Sequence, residues 1–274
     1  MLDYFWLCLS AALAGGINAL AGGGTLLTFP TLISVFSRQS SDMARQAGVF
    51  ANGTSTVALA AGSLGSAWGY RRELRALSRL LIWLLPPSLL GGWIGVSLVT
   101  RLPPEYFDAA VPWLILTAAI LFVLQPLLVQ RKPVVALEGD APVPPAHDCD
   151  QITPWNLAGM IVLQFGIAIY GGYFGAGIGI LMLSGLGFMG FKNIHEMNAL
   201  KTVLATAING VAIIVFIWEQ KIHWPFALAM MATSTVGGFV AARFSRRIKG
   251  IYVRYFVIVV GFSLAAFYFW KRFA

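Results

Sequence analysis

Apolar residues in this chain fall into long, nearly uncharged blocks, running from Tyr4 to Phe36, Ala47 to Trp68, Leu80 to Val99, Ala109 to Val129, Leu157 to Phe191, Thr202 to Trp218, Trp224 to Ala242 and Tyr255 to Trp270. Most match the roughly 20 residues that a helix needs to cross about 30 Å of hydrocarbon. Two are too long for one crossing: as a single straight helix the first would extend about 50 Å. It must break, and Gly22, Gly23 and Gly24 followed by Pro30 supply the place, because glycine weakens a helix and proline removes a backbone donor. The block from Leu157 to Phe191 breaks in the same way between Gly171 and Gly179. Each is expected to form two half-length segments, either a re-entrant hairpin or two short crossings.

The two breaks also share their text. Gly16-Ile-Asn-Ala-Leu-Ala21-Gly22-Gly-Gly24 returns as Gly171-Gly-Tyr-Phe-Gly-Ala176-Gly177-Ile-Gly179, with four small residues coinciding at one offset. Later, Gly91-Gly-Trp-Ile-Gly aligns with Gly237-Gly-Phe-Val-Ala, each followed by basic residues. An internal duplication explains both. Between the copies, Arg131 to Pro154 carries five prolines and four acids, a composition that cannot bury a core and predicts an exposed linker. The expected architecture is an all-α polytopic membrane protein: a first repeat over 1–130, a linker over 131–155 and a second repeat over 156–274. Each repeat has one Gly-broken helical hairpin and three transmembrane helices.

Composition agrees, since 58% of the 274 residues are hydrophobic and only 11% charged, with a mean hydropathy of +0.76. That excludes a soluble globular domain. The formal charge of +8 would suggest nucleic acid in a soluble protein, but the basic residues sit at the ends of apolar blocks, where lipid headgroups select them, so no nucleic-acid partner is expected. If both broken blocks return to the side they left, Arg71, Arg72, Arg75, Arg79, Arg131, Lys132, Lys192, Lys201, Arg243, Arg246, Arg247, Lys249 and Arg254 share one face, thirteen of the 19 basic residues. That face is then cytoplasmic, the halves are inverted repeats, and both termini lie outside. The first block has Asp3 where a signal peptide has a basic start, so it is expected to be retained. Cys8 and Cys149 show no pairing or ligand spacing, and no cofactor or metal is implied.

Broken helices near the midplane expose unpaired N–H groups and a positive dipole end, an arrangement suited to an anion. The candidate binding turns are Gly22, Gly23, Gly24 and Thr25 in the first half and Gly175, Gly177 and Gly179 in the second. Intramembrane polar side chains add Asn18, Gln46, Asn52, Tyr173, Lys201 and Asn209. Asn18 and Tyr173 occupy equivalent places, as do Gln46 and Lys201. Lys201 is the sharpest candidate for neutralising an anion, although a lysine near the end of a span can also snorkel to the headgroups. His195 and Glu196 read as a polar loop. No His-Glu-x-x-His, paired intramembrane acids or phosphate loop occurs, so an enzyme is not expected; a channel and a carrier both remain open.

The phrase Ala14-Gly-Gly-Ile-Asn-Ala-Leu-Ala-Gly-Gly-Gly-Thr-Leu-Leu-Thr-Phe-Pro30 resembles the signature of the TauE/SafE family, the sulfite-exporter-like permeases, as does Asn198-Ala-Leu-Lys201 leading to Asn209-Gly-Val-Ala. The resemblance adds Asn198 to the candidate site. It implies transport of sulfur-containing oxoanions or organosulfonates across a bacterial plasma membrane and leaves the exact substrate and the direction open; a secondary transporter working as an exporter is the expectation. The alternative is an anion-selective channel or a transporter of another small organic anion. The expected partners are the small anion and membrane lipids; a coupling proton or sodium ion and a homo-oligomer stay open.

Overall fold

The computed structural model describes residues 2–20, 23–69, 78–128, 154–188, 191, 194–244 and 250–273, and every regular element among them is an α-helix. In chain order these are α1 (Leu2–Leu20), α2 (Thr25–Phe36), a short α3 (Ser41–Arg45), α4 (Ala47–Gly69), α5 (Ser78–Arg101), α6 (Pro104–Leu128), α7 (Pro154–Tyr173), α8 (Ile178–Phe188), α9 (Ile194–Trp218), α10 (Trp224–Phe244) and α11 (Gly250–Phe273). The segments Leu80–Arg101, Pro104–Leu124, Glu196–Trp218 and Trp224–Ala241 are long and apolar enough to cross a membrane. Most of the linker expected over 131–155, with Cys149, lies outside the described residues, as does Gly22.

The bundle is organised for lipid rather than water. Large apolar side chains such as Ile82, Trp83, Val162, Ile214, Phe239 and Val259 point outward, an exposure that would drive aggregation of a soluble protein. Polar groups turn inward and find partners there. Thr28 and Ser55 hydroxyls meet at 2.5 Å, Gln164 donates to Ser88 Oγ at 2.8 Å, and Ser234 donates to the Ala58 carbonyl at 2.6 Å. This is a membrane protein.

Glycine decides how closely the helices approach. A Cβ on Gly15 would strike the Ser234 backbone, and one on Gly237 the Ala12 carbonyl, so α1 and α10 touch backbone to backbone. On the opposite flank Gly95 faces the Ile169 carbonyl and Gly172 faces Gly92, sealing α5 against α7. Such small-residue seams replace the hydrophobic drive that lipid removes. Pro86 and Pro87 lie inside α5 without ending it.

The contacts fix helix directions. Tyr4 at the start of α1 and Phe36 at the end of α2 both pack on Phe226, at 5.0 and 5.9 Å between ring centroids, so α2 returns to the end from which α1 began. In the second pair a Cβ on Gly171 would meet Ile178 and one on Gly185 would meet Leu163, so α8 runs back along α7. Both broken blocks are therefore antiparallel helical hairpins. The break in the first falls at the glycines; Pro30 sits within α2 and does not make it. α7 runs alongside α5, with Gln164 on Ser88 and Tyr173 beside Gly95, and α5 ends at Arg101, which pairs with Glu219 at 3.7 Å. Hence α7 runs towards the end of the bundle that α1 leaves, called below the Lys221 end. Exchanging α1, α2, α4, α5 and α6 for α7 to α11 in order maps the principal packing pairs onto one another: α1 on α10 becomes α7 on α5, and α4 on α10 becomes α9 on α5.

Candidate functional site

The two hairpin tips enter the bundle from opposite ends and meet on one turn of α6. Gly23 lies against the Phe122 ring, while Gly177 faces Ala118 and Leu121 at ordinary van der Waals distance. The hairpins also touch through Phe174, whose ring centroid is 5.3 Å from that of Phe29 on α2. Three tip residues have positive φ: Gly23 (96°), Gly175 (78°) and Gly177 (77°). Only glycine takes that conformation without a Cβ penalty, which is the local reason that the sequence turns here.

Helices beginning at these turns leave N–H groups without intrahelical acceptors. Thr28 N bonds the Gly24 carbonyl and Ile180 N the Gly177 carbonyl, but no backbone acceptor among the described residues takes the N–H groups of Gly24 and Thr25 or of Ala176 and Gly177. The carbonyl side of the second turn is held by side chains. Tyr170 donates its hydroxyl to the Ala176 carbonyl at 2.7 Å, and buried Asn52 on α4 donates to the Tyr173 carbonyl at 2.9 Å.

Lys201 lies seven residues into α9, and its stem passes 3.3 Å from where a Cβ on Gly179 would stand, in the first turn of α8. It makes no hydrogen bond or ion pair with a described residue, and it is half-buried. Asn18, Asn198 and Asn209 are likewise half-buried within helices. Gln46 goes elsewhere. Despite sharing an offset with Lys201, it lies between α3 and α4 and accepts from Lys221 Nζ at 2.5 Å at the Lys221 end. The extra short α3 displaces it, because the first half splits into two helices what the second half builds as one. His195 and Glu196 belong to the first turn of α9 rather than to a loop, and Glu196 is buried.

Sequence reasoning missed the Tyr170 clamp, the α6 turn that receives both tips, and Lys221. A tyrosine inside an apolar block one turn before a glycine break is a usable signal for the first. Nothing in α6 distinguishes Ala118 and Phe122 from ordinary core.

Residues 7–268 match one family across nearly the whole chain. The chain belongs to the sulfite exporter TauE/SafE family. Curated relatives with the same reach include a probable membrane transporter protein of Haemophilus influenzae, 27% identical over 258 residues, covering 92% of this chain and 89% of the relative. A probable membrane transporter protein ORF9 of Sinorhizobium sp is 23% identical and covers 95% and 90% respectively. The probable membrane transporter protein YfcA of Escherichia coli strain K12 is 24% identical, covering 87% and 77%. No solved structure matches. As a TauE/SafE protein the chain is a membrane transporter, and its hairpin tips, with their glycine turns and adjacent lysine, are where the family signature quoted above falls in three dimensions.

Proposed function

We propose that this protein is a secondary transporter that exports small sulfur-containing oxoanions or organosulfonates across the bacterial plasma membrane, without catalytic activity, and that the anion binds between the two hairpin tips. The observation that carries this reading is the convergence of both tips on one turn of α6, with positive-φ glycines, unclaimed N–H groups and the unpartnered Lys201 beside them. Buried N–H groups are nearly always paired, so a cluster of unclaimed ones favours a ligand. A tetrahedral or pyramidal oxoanion needs several N–H donors and one compensating charge.

The exchangeable packing of the two sets of helices, running in opposite directions, supports inverted repeats, and inverted repeats support alternating access around a fixed midplane site. Hairpins that return to their own side divide the basic residues thirteen to six, which favours a multi-pass protein with the Lys221 end outside. Purified protein in liposomes should take up one or more of sulfite, thiosulfate, sulfoacetate and taurine in preference to matching carboxylates. Strict preference for cations would overturn the proposal. An anion-selective pore would show flux without counterflow.

A further inference from the structure

A polar cavity of about 410 Å³ opens at the Lys221 end between the α3–α4 junction, the α5–α6 turn and the α9–α10 turn. Among the described residues three cations line it, and two are already paired: Arg45 with Glu105 at 3.3 Å and Arg101 with Glu219 at 3.7 Å. Lys221 is different. Its Nζ donates to the amide oxygen of Gln46 and stands 5.6 Å above the Phe50 ring, so its nearest partners are dipoles that orient the ammonium without cancelling its charge. Asp42, the remaining acid in the lining, is exposed.

The turn that carries Lys221 is also rigidly seated. Lys221 N bonds the Phe216 carbonyl at 2.9 Å, Gln220 is held at a φ of 53°, and His223 N donates to Thr54 Oγ1 of α4 at 3.1 Å. A cation on a fixed turn, facing a polar cavity and turned by an amide whose own N–H donors remain available, is built to receive an anion.

We infer that this cavity is a second, outer station for a small oxoanion, with Lys221 supplying the charge and Gln46 orienting it. Its place on a transport route rests on the proposed function above; its binding chemistry does not. The test uses the full chain in nanodiscs, with Cys8→Ser and Cys149→Ser, and Thr100→Cys as a reporter in the cavity wall. Its labelling rates by an anionic sulfonatoethyl methanethiosulfonate and by the cationic trimethylammonium analogue are compared. Their ratio cancels any change in thiol ionisation. Lys221→Met should lower the anion-to-cation ratio roughly tenfold, as expected for removing one nearby charge, and Lys221→Arg should restore it. Methanesulfonate should slow anionic labelling when Lys221 is present and not in Lys221→Met. A ratio unmoved by Lys221→Met, or no protection by methanesulfonate, overturns the station. Because labelling needs no translocation, sulfonate transport with an unmoved ratio refutes the station alone, and a Lys221-dependent ratio without transport refutes the transport reading alone.

Discussion

Adding one methyl group at Gly177 separates ligand binding from stability. Its Cβ would meet only Ala118 and Leu121 atoms, at 3.7 Å, so no protein atom has to move. The cost is conformational: an L-residue at a φ of 77° loses of order 1 kcal/mol, or about 2–4 °C in Tm for a chain of this size. Gly237→Ala is the contrast. Its Cβ would drive into the Ala12 carbonyl, and a backbone atom in a helix–helix seam cannot swing aside, so the loss should reach or exceed the ~1–3 kcal/mol typical of overpacking. If the Gly177 N–H cradles an anion, the added methyl also occupies space that the ligand uses. Substrate at about 100 times its Kd stabilises by about 2.7 kcal/mol, and a tenfold weaker Kd removes about 1.4 kcal/mol of that. Thermal unfolding in detergent, with and without sulfite, reads both quantities. Gly177→Ala should unfold slightly earlier and lose at least half of the sulfite-induced shift; Gly237→Ala should unfold much earlier and keep the shift. A full shift in Gly177→Ala, with the shift lost in Gly237→Ala, would place the site away from the hairpin tips.

Four further outcomes follow from the same geometry. Lys201→Met keeps most of the stem that passes Gly179, so insertion and stability should survive while sulfite affinity falls at least tenfold; normal transport at sub-saturating sulfite would make the lysine a snorkelling anchor. Asn52→Leu strands the part-buried Tyr173 carbonyl and should destabilise by about 1–3 kcal/mol in denaturation, and an unchanged midpoint would mean that the carbonyl finds another donor. Burial holds the His223 imidazole below the usual histidine range. Unfolding therefore takes up protons, so stability is full above about pH 6.5 and declines as pH falls through the unfolded and then the folded value; His223→Gln should flatten that slope, and a slope that it leaves intact belongs to other groups. A reporter active only in the cytoplasm, fused after Ala274, should be silent, and an active fusion would reverse the topology.

Much of this was legible in the chain because the two breaks are written in glycine. A residue that must adopt positive φ leaves few choices, and Gly23, Gly175 and Gly177 lie where the sequence indicates a turn. The packing seams were legible for a related reason, since Gly91 and Gly237 permit the approach of α7 and α1. Repeat matching alone misled at Gln46: it preserves order along the chain, but the short α3 shifts the side chain towards Lys221, and that contact spans most of the sequence. The clamps on the second turn were hidden for the opposite reason. Asn52 reads as a costly intramembrane polar group and Tyr170 as one more residue of an apolar block, and only the folded chain shows the carbonyls that they satisfy.

The most direct measurement of the central claim is counterflow of radiolabelled sulfite in proteoliposomes, comparing the unaltered chain with Lys201→Met and Gly177→Ala. Vesicles preloaded with unlabelled sulfite should accumulate label transiently and saturably with the unaltered chain, and should need at least tenfold more sulfite to do so with either variant. Label entry that never saturates, or saturable counterflow identical in all three proteins, would contradict anion transport through the paired hairpin tips.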